Sequence, residues 1–443
     1  MALRRFLKTS LPAAVDLSSQ TMTWTVEAIL IGKLSASALA GYSMAIQIVL
    51  VFFAVLLTFV VGAGLIINRH LGAKENYQAN HIFGQAMMMG IIMAILFSIM
   101  WHSGAVHLFR IINETGASSA QFSGTSYLRT IALFGPFIMT NFVAVGILRA
   151  IGNTNFSMKV NLFINFINIL LSPVLIFGLF GAPRLEVQGA ALAAGVSHTI
   201  GFCITFYLVR SRRTHIFLSF KELTTPKWNS FKELFKMGLP TTIEQLSWAL
   251  GQLVVMGYAG AVGVVVLTTH AIFMRIQNIL SMGYMGFAMA AMSEMGQNLG
   301  AKDTEQAEKT AHAAHRSMMI FVGVIFIILI VFSKTLVSVF TTDPEILELG
   351  KRAMIVFALA QLPKAFNNVL SGNMRGIGML RWLMITTIIF VIIFEIGINY
   401  FGLFVLGWGL FGIWGVQATD ETIRCGLNYF WFMNGRWRKK QTK

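Results

Sequence analysis

Two carboxylates stand inside one apolar stretch, Pro12 to Gly32 (PAAVDLSSQTMTWTVEAILIG): Asp16 near its start and Glu27 near its end. A carboxyl group at membrane depth can exchange a proton or hold a cation, and its cost is usually met by facing an interior or a water-filled path. For Glu27, set toward the far half of the stretch, the chemistry on offer is reversible protonation in competition with cargo. The plainer alternative is a structural glutamate, paired with Lys33 or set near headgroups. Asp16, about one turn past Pro12, has three readings: a proton site, the lining of an inner mouth, or local hydrogen bonds to Ser19 and Gln20. Glu244 repeats it, because Leu239-Pro240 and Glu244 match Leu11-Pro12 and Asp16 at an offset of 228 residues. A duplicated carboxylate of this kind suits either ion coupling or a gate closed through basic residues.

Other polar residues sit in apolar runs. Asn161, Asn165 and Asn168 recur at helical spacing, which suits either a polar face that orients the carboxylate of the opening stretch or packing glue. Lys364, taken together with Gln361 as a candidate cavity residue, needs a partner such as Glu27 or Glu395 to stay charged in an interior; otherwise its stem lets it snorkel to an interface. Arg275, the Glu395/Asn399 pair and Asp420, Glu421 and Arg424 are candidates for an internal, structural network. Tyr42, Phe52, Phe53 and Trp248, with Met256, Met274 and Met282, are possible linings of an adaptable pocket, and an aromatic wall attracts organic cations.

The elements that must position these groups are membrane helices. Of 443 residues 56% are hydrophobic and 12% charged, against about 25% charged in soluble domains. The mean hydropathy is +0.70. Runs of roughly 20 apolar residues predict twelve spans, at 10–32, 43–67, 82–102, 127–147, 159–180, 188–209, 237–257, 264–290, 314–333, 350–371, 382–404 and 409–431. The net charge of +16 sits mostly at one set of span ends, including Arg4, Arg5, Lys8, Arg69, Lys74, Arg149, Arg212, Arg213, Lys236, Lys302, Arg375, Arg436, Arg438, Lys439, Lys440 and Lys443. Basic residues mark the cytoplasmic side, so both termini are expected there, in a cell inner membrane. That placement argues against a nucleic-acid partner. Cys203 and Cys425 offer no disulfide framework or metal spacing. No Walker loop, nucleophilic triad or dinucleotide turn stands out, so neither an ATPase nor another enzyme is expected, and no cofactor.

The longest polar stretch, Ser211–Lys236, falls between spans six and seven. It divides the chain into an N-terminal six-helix lobe (1–210), a linker (211–236) and a C-terminal six-helix lobe (237–443). Within the linker Ser230–Phe235 suits a short amphipathic helix, and HLFRII after His102 an interfacial one. Asp343-Pro344 reads as a helix start. Further echoes link Leu71-Gly72-Ala73-Lys74 to Leu299-Gly300-Ala301-Lys302, and Gly146-x-x-Arg149-x-x-Gly152 to Gly372-x-x-Arg375-x-x-Gly378. In the latter the glycines allow a tight turn, and the arginine can anchor to headgroups or cap a helix end. Six spans per half makes the halves parallel repeats about an axis along the membrane normal. The fold class is therefore all-α and polytopic: twelve helices in two pseudo-symmetric six-helix bundles.

These motifs resemble the multidrug and toxin extrusion (MATE) family of secondary transporters. They are the leucine-proline openings of spans one and seven, Glu27 to Gly32, the Gly-Ala-Lys loops, the Arg-x-x-Gly turns, and Asn168 with Pro173. The resemblance covers the chain in order, twice over. It implies two lobes that rock to give alternating access, exporting amphipathic, often cationic, organic compounds against inward H⁺ or Na⁺. The partners it implies are such small molecules and membrane lipids, with the protein acting as a monomer. Glu27 stands where the family usually has aspartate. Ser172 stands where it often has an acid, and Trp248 and Lys364 fall where Na⁺-coupled members carry acids. H⁺ is accordingly the expected coupling ion, with Na⁺ as the other candidate. A flippase or exporter of an anionic or lipid-linked metabolite is the alternative that Lys364 favours.

Overall fold

A computed structural model describes residues 2–112, 118–211, 214, 216–435 and 437. Arg212, Arg213, Arg436, Arg438, Lys439, Lys440 and Lys443, counted above among the cytoplasmic charges, lie outside them. The described residues are helical without strands. The order is α1 (Ala2–Gly32), α2 (Ala36–Gly72), α3 (Asn76–Ile112), α4 (Ser118–Ala150), α5 (Thr154–Phe177), α6 (Glu186–Arg210), the short α7 (Phe220–Thr224), α8 (Trp228–Val262), α9 (Val264–Gly300), α10 (Thr304–Val331), the short α11 (Ser333–Ser338), α12 (Pro344–Gly376), α13 (Leu380–Phe390), a π-helical stretch (Val391–Ile398), α14 (Asn399–Phe404) and α15 (Gly409–Met433). Counting α13 through α14 as one broken rod, twelve are long. Nine of these, among the described residues, are long and apolar enough to cross a membrane. The other three, α1, α8 and α15, carry Asp16 and Glu27, Glu244, and Asp420, Glu421 and Arg424. The polar load that lowers their hydropathy is the chemistry under discussion.

The helices overrun the expected spans. At 1.5 Å per residue, α2 with its 37 residues is about 55 Å long, well beyond a ~30 Å hydrocarbon layer. HLFRII is the end of α3, not a separate interfacial helix. Ser230–Phe235 belongs to α8, continuous with span seven, while the first half of the linker supplies α7. Asp343 starts α12 as read: its Oδ1 accepts from the backbone N–H groups of Glu345 (2.9 Å) and Ile346 (3.3 Å).

The duplication is preserved bond for bond at two turns. After α2, Lys74 is left-handed (φ 61°), and its N–H bonds Leu71 O at 3.1 Å while Glu75 N–H bonds His70 O at 2.8 Å. After α9, Lys302 (φ 59°) bonds Leu299 O at 3.0 Å and Asp303 N–H bonds Asn298 O at 2.9 Å. Both are the paired 5→2 and 6→1 bonds of a Schellman ending. The Arg-x-x-Gly turns end α4 and α12 in the same way. Gly152 (φ 86°) bonds Arg149 O and Asn153 bonds Leu148 O; Gly378 (φ 90°) bonds Arg375 O and Met379 bonds Met374 O. The glycine frees the chain to turn left-handed. It thereby fixes the arginine three residues earlier at the helix end.

Contacts divide the chain into two compact units. One runs from Val15 to Leu239; the other joins the start of α1, through Ala14, to everything from Pro240 on. The borders fall inside α1 and α8, beside Pro12 and at Pro240. A proline in a helix interior removes one backbone hydrogen bond and crowds the preceding turn. In the first unit α2 and the start of α8 approach backbone to backbone: a Cβ on Gly238 would collide with the Thr58 carbonyl, and one on Gly62 with the Leu234 carbonyl. Its core runs from Ile31 through Phe59, Phe83, Trp101 and Leu148 to Leu234. In the second unit a Cβ on Gly286 of α9 would meet the Ala13–Ala14 backbone, and the core gathers around Phe273, Phe357 and Trp414.

Candidate functional site

In the first unit α1 lies along α5, and an asparagine ladder joins them. Asn161 Nδ2 donates to Asp16 Oδ1 at 2.6 Å, Asn165 Nδ2 to Ser19 Oγ at 3.0 Å, and Asn168 Nδ2 to Glu27 Oε1 at 2.8 Å. All three asparagines are buried. The helical stripe read from the sequence is thus the surface that holds the opening helix. Ser172, one turn beyond, donates to Asn168 Oδ1 at 2.8 Å, so it fixes the amide that reaches Glu27.

Glu27 is 2% exposed. Its second oxygen accepts from the Tyr42 hydroxyl on α2 at 2.8 Å. Tyr42 meets Tyr127 of α4 edge-on, ring centroids 5.2 Å apart, which sets the phenol's direction. The alternative pairing with Lys33 does not form; that lysine is exposed. Both hydrogen-bond donors to Glu27 are neutral. A carboxyl so placed is solvated by two dipoles and compensated by no charge of its own shell.

Asp16 is different. Arg149 Nε donates to its Oδ2 at 2.8 Å, and the aspartate side chain is fully buried. Its carboxylate does not bond the side chains of Ser19 or Gln20; Ser19 Oγ instead donates to the Asp16 carbonyl at 2.8 Å. In the second unit Arg375 Nη2 donates to Glu244 Oε1 at 2.8 Å. The duplicated carboxylates therefore meet the duplicated turn arginines, each inside its own unit. Neither arginine is left to headgroups or to its own helix end. The sequence contained both halves of each pair, and the equal repetition of the two motifs was the signal that could have joined them.

The remaining candidates lie on α8 and α12. Lys364 is buried, and its ammonium sits 5.2 Å from the centre of the Trp248 ring. Gln361, one turn earlier, is buried with its Nε2 3.4 Å from Gln277 Oε1 and 3.4 Å from Phe357 O. Asp420, Glu421 and Arg424 do form a buried network, with Arg424 bonding Glu421 at 2.8 Å and Asp420 at 3.1 Å, while Glu395 is buried but its carboxyl bonds only the Asn399 amide at 3.4 Å. Arg275, expected with them, is exposed and is not part of it. Three residues were missed as functional partners from sequence: Arg149 and Arg375, read only as turn residues, and Tyr127, one of eight tyrosines and without a motif.

Comparison with known proteins bears on what this arrangement does. The MatE family model matches residues 12–174 and again 240–401, two copies whose starts are separated by the same 228 residues as Asp16 and Glu244. A "Probable multidrug resistance protein NorM" of Thermotoga maritima is 27% identical over 439 residues, covering 99% of this chain and 93% of the relative. The chain superposes on a MATE transporter solved in a straight conformation, TM-score 0.89 at 21% identity, covering 100% of this chain and 96% of that one. It superposes equally on a MATE transporter solved in a bent conformation, TM-score 0.89 at 21% identity over 99% and 96%. The fold is the twelve-helix, two-bundle membrane fold of those structures. With two copies of the family model together covering most of its length, the chain belongs to the MatE family of multidrug and toxin transporters, and it is a membrane transporter and not an enzyme.

Proposed function

We infer that the protein exports small, amphipathic organic cations from the cell in exchange for inward protons, with Glu27 as the coupling carboxyl. The observation that carries this is the pairing of Glu27 with two neutral donors, Tyr42 and Asn168. A buried ion without a counter-ion is costly. The site therefore favours a proton, or a positively charged cargo, and among the described residues no cation bonds Glu27 to substitute for either. Asp16, compensated in place by Arg149, has no such need. Competition between proton and cargo for one carboxyl is the simplest antiport device. The name of the Thermotoga relative, a probable multidrug resistance protein, supports export of drug-like small molecules.

The rest of the proposal follows the membrane reading. Both termini lie in the cytoplasm, the protein sits in the inner membrane as a monomer, and two lobes (1–210 and 237–443) joined by 211–236 alternate access. Pro12 and Pro240 are suited to be the flexible points, since each interrupts its helix where contacts pass from one unit to the other. MATE structures solved in a straight and in a bent conformation are consistent with that use.

The test is efflux of tetraphenylphosphonium from proteoliposomes under a pH gradient or a Na⁺ gradient of equal size. Efflux driven by the pH gradient alone is expected. Efflux driven only by Na⁺ would overturn proton coupling. The unpaired ammonium of Lys364 favours a second reading, an anionic or lipid-linked cargo. Transport of an organic anion but not of tetraphenylphosphonium would select it.

A further inference from the structure

The unit that resumes at Pro240 buries ionisable groups with no place in that mechanism. Lys364 on α12, Glu395 on the π-helical stretch, and Asp420, Glu421 and Arg424 on α15 are all buried. Arg424 is committed to both α15 carboxylates, at 3.1 Å to Asp420 and 2.8 Å to Glu421. Glu421 also accepts from Asn367 Nδ2 at 2.9 Å. Glu395 has only the Asn399 amide, at 3.4 Å. Lys364 is 4% exposed, and its Nζ has no hydrogen-bond partner; nor do Glu395 Oε1 and Asp420 Oδ1. The carboxylates acting on Lys364 are foremost Glu421 and Glu395, then Asp420.

Three carboxyl groups thus meet two cations. Fully ionised, the cluster carries one surplus negative charge in an interior that tolerates none cheaply. One bound proton makes it neutral. We propose that this cluster is a second proton-binding site, with Glu395 carrying one exchangeable proton and Lys364 serving as the tethered cation that takes its place when it leaves.

Glu395 is the seat because it is the one carboxyl of the three that Arg424 does not bond. The charged groups facing it are Asp420, Glu421 and Arg424 from α15 and Lys364 from α12. On α8 a Cβ added at Gly251 would lie 3.6 Å from the Glu395 Cβ. When the proton departs to water the cluster is left with one net negative charge, and Lys364, the cation not bonded to a carboxylate, is the group free to move to it. The ammonium then turns from the face of Trp248 toward Glu395 Oε1. Proton release at α12 and the π-helical stretch is in this way felt on α8, through loss of the cation–π contact. A π-helical turn at a working position is the usual setting for such a bulge.

The site relies on the proton-coupled reading only for its use in transport, because its protonation can be measured without cargo. The measurement is pH-stepped infrared difference spectroscopy of the protein in lipid, reading the C=O band of buried carboxylic acids. Wild type is expected to titrate two, and Glu395→Gln to lose one while keeping the Glu27 signal. Glu27→Gln should do the reverse. Lys364→Met, which leaves a deficit of two charges, should gain one acid; this variant carries the test if Glu395→Gln fails to reach the membrane folded. An unchanged spectrum in Glu395→Gln or in Lys364→Met overturns the proposal and leaves Glu27 in place. Absence of the Glu27 band with the Glu395 band present would instead remove the coupling role of Glu27 and leave this site standing.

Discussion

Arg149 donates from Nε to Asp16 Oδ2 at 2.8 Å, with the arginine side chain 10% exposed and the aspartate 0%. Removing one partner of a buried pair strands the other, at a cost of about 3–5 kcal/mol. Arg149→Ala and Asp16→Ala are each expected to lower the unfolding midpoint in detergent sharply, and the double variant to cost clearly less than their sum. Strictly additive losses would mean that the pair is not a unit.

The matching pair, Arg375 and Glu244, is 14% and 13% exposed, and Glu244 Oε2 has no partner. A pair at the edge of the interior is weakened by nearby water relative to one that is sealed. Glu244→Gln should therefore be milder than Asp16→Asn in the same unfolding measurement. Equal losses would show that partial exposure at Glu244 does not weaken its bond.

Lys74 and Lys302 hold left-handed backbone where a side chain costs roughly 1–2 kcal/mol. Glycine removes that strain but gains freedom in the unfolded chain. Lys74→Gly and Lys302→Gly should each stabilise by up to about 1 kcal/mol without changing transport. Destabilisation would imply that the lysine side chains contribute more than their backbone costs.

Asn168 donates to the Glu27 carboxyl, and the Ser172 hydroxyl donates to Asn168. A hydrogen bond to a charged group is worth about 1.5–3 kcal/mol, and 1.4 kcal/mol is about tenfold. Asn168→Ala should cut pH-driven efflux by about tenfold or more, and Ser172→Ala by less. Tyr42→Phe should resemble Asn168→Ala, because it strips the other oxygen. The reverse order, with Ser172→Ala the more damaging, would assign the serine a direct role.

Hydropathy was enough to find the helices, because twenty apolar residues in succession have few other uses. It could not find their ends, because α2 and α3 continue well past any bilayer and the signal stops at the hydrocarbon edge. The pattern Leu-Pro-x-x-x-acid marked Asp16 and Glu244, and the Gly-x-x-Arg-x-x-Gly turns marked Arg149 and Arg375. Their meeting lay hidden because it depends on α4 and α12 ending beside the opening helices, which is a property of packing and not of spacing. The asparagine ladder was legible for the same reason that a helical stripe always is: residues three and four apart share a face. Lys364 was recognisable as an anomaly, but its neighbours come from α8, the π-helical stretch and α15, tens of residues away. Polar residues on α8 and α15 carried the information in another form, by making those helices less apolar than the rest.

The role of Glu27 is tested most directly by pH-gradient-driven efflux of tetraphenylphosphonium in Glu27→Gln and Glu27→Asp proteoliposomes, with folded protein matched by chromatography. Glu27→Asp should retain coupled efflux at reduced rate, and Glu27→Gln should lose it. Wild-type efflux from Glu27→Gln under the same gradient would contradict a proton exchanged at this carboxyl.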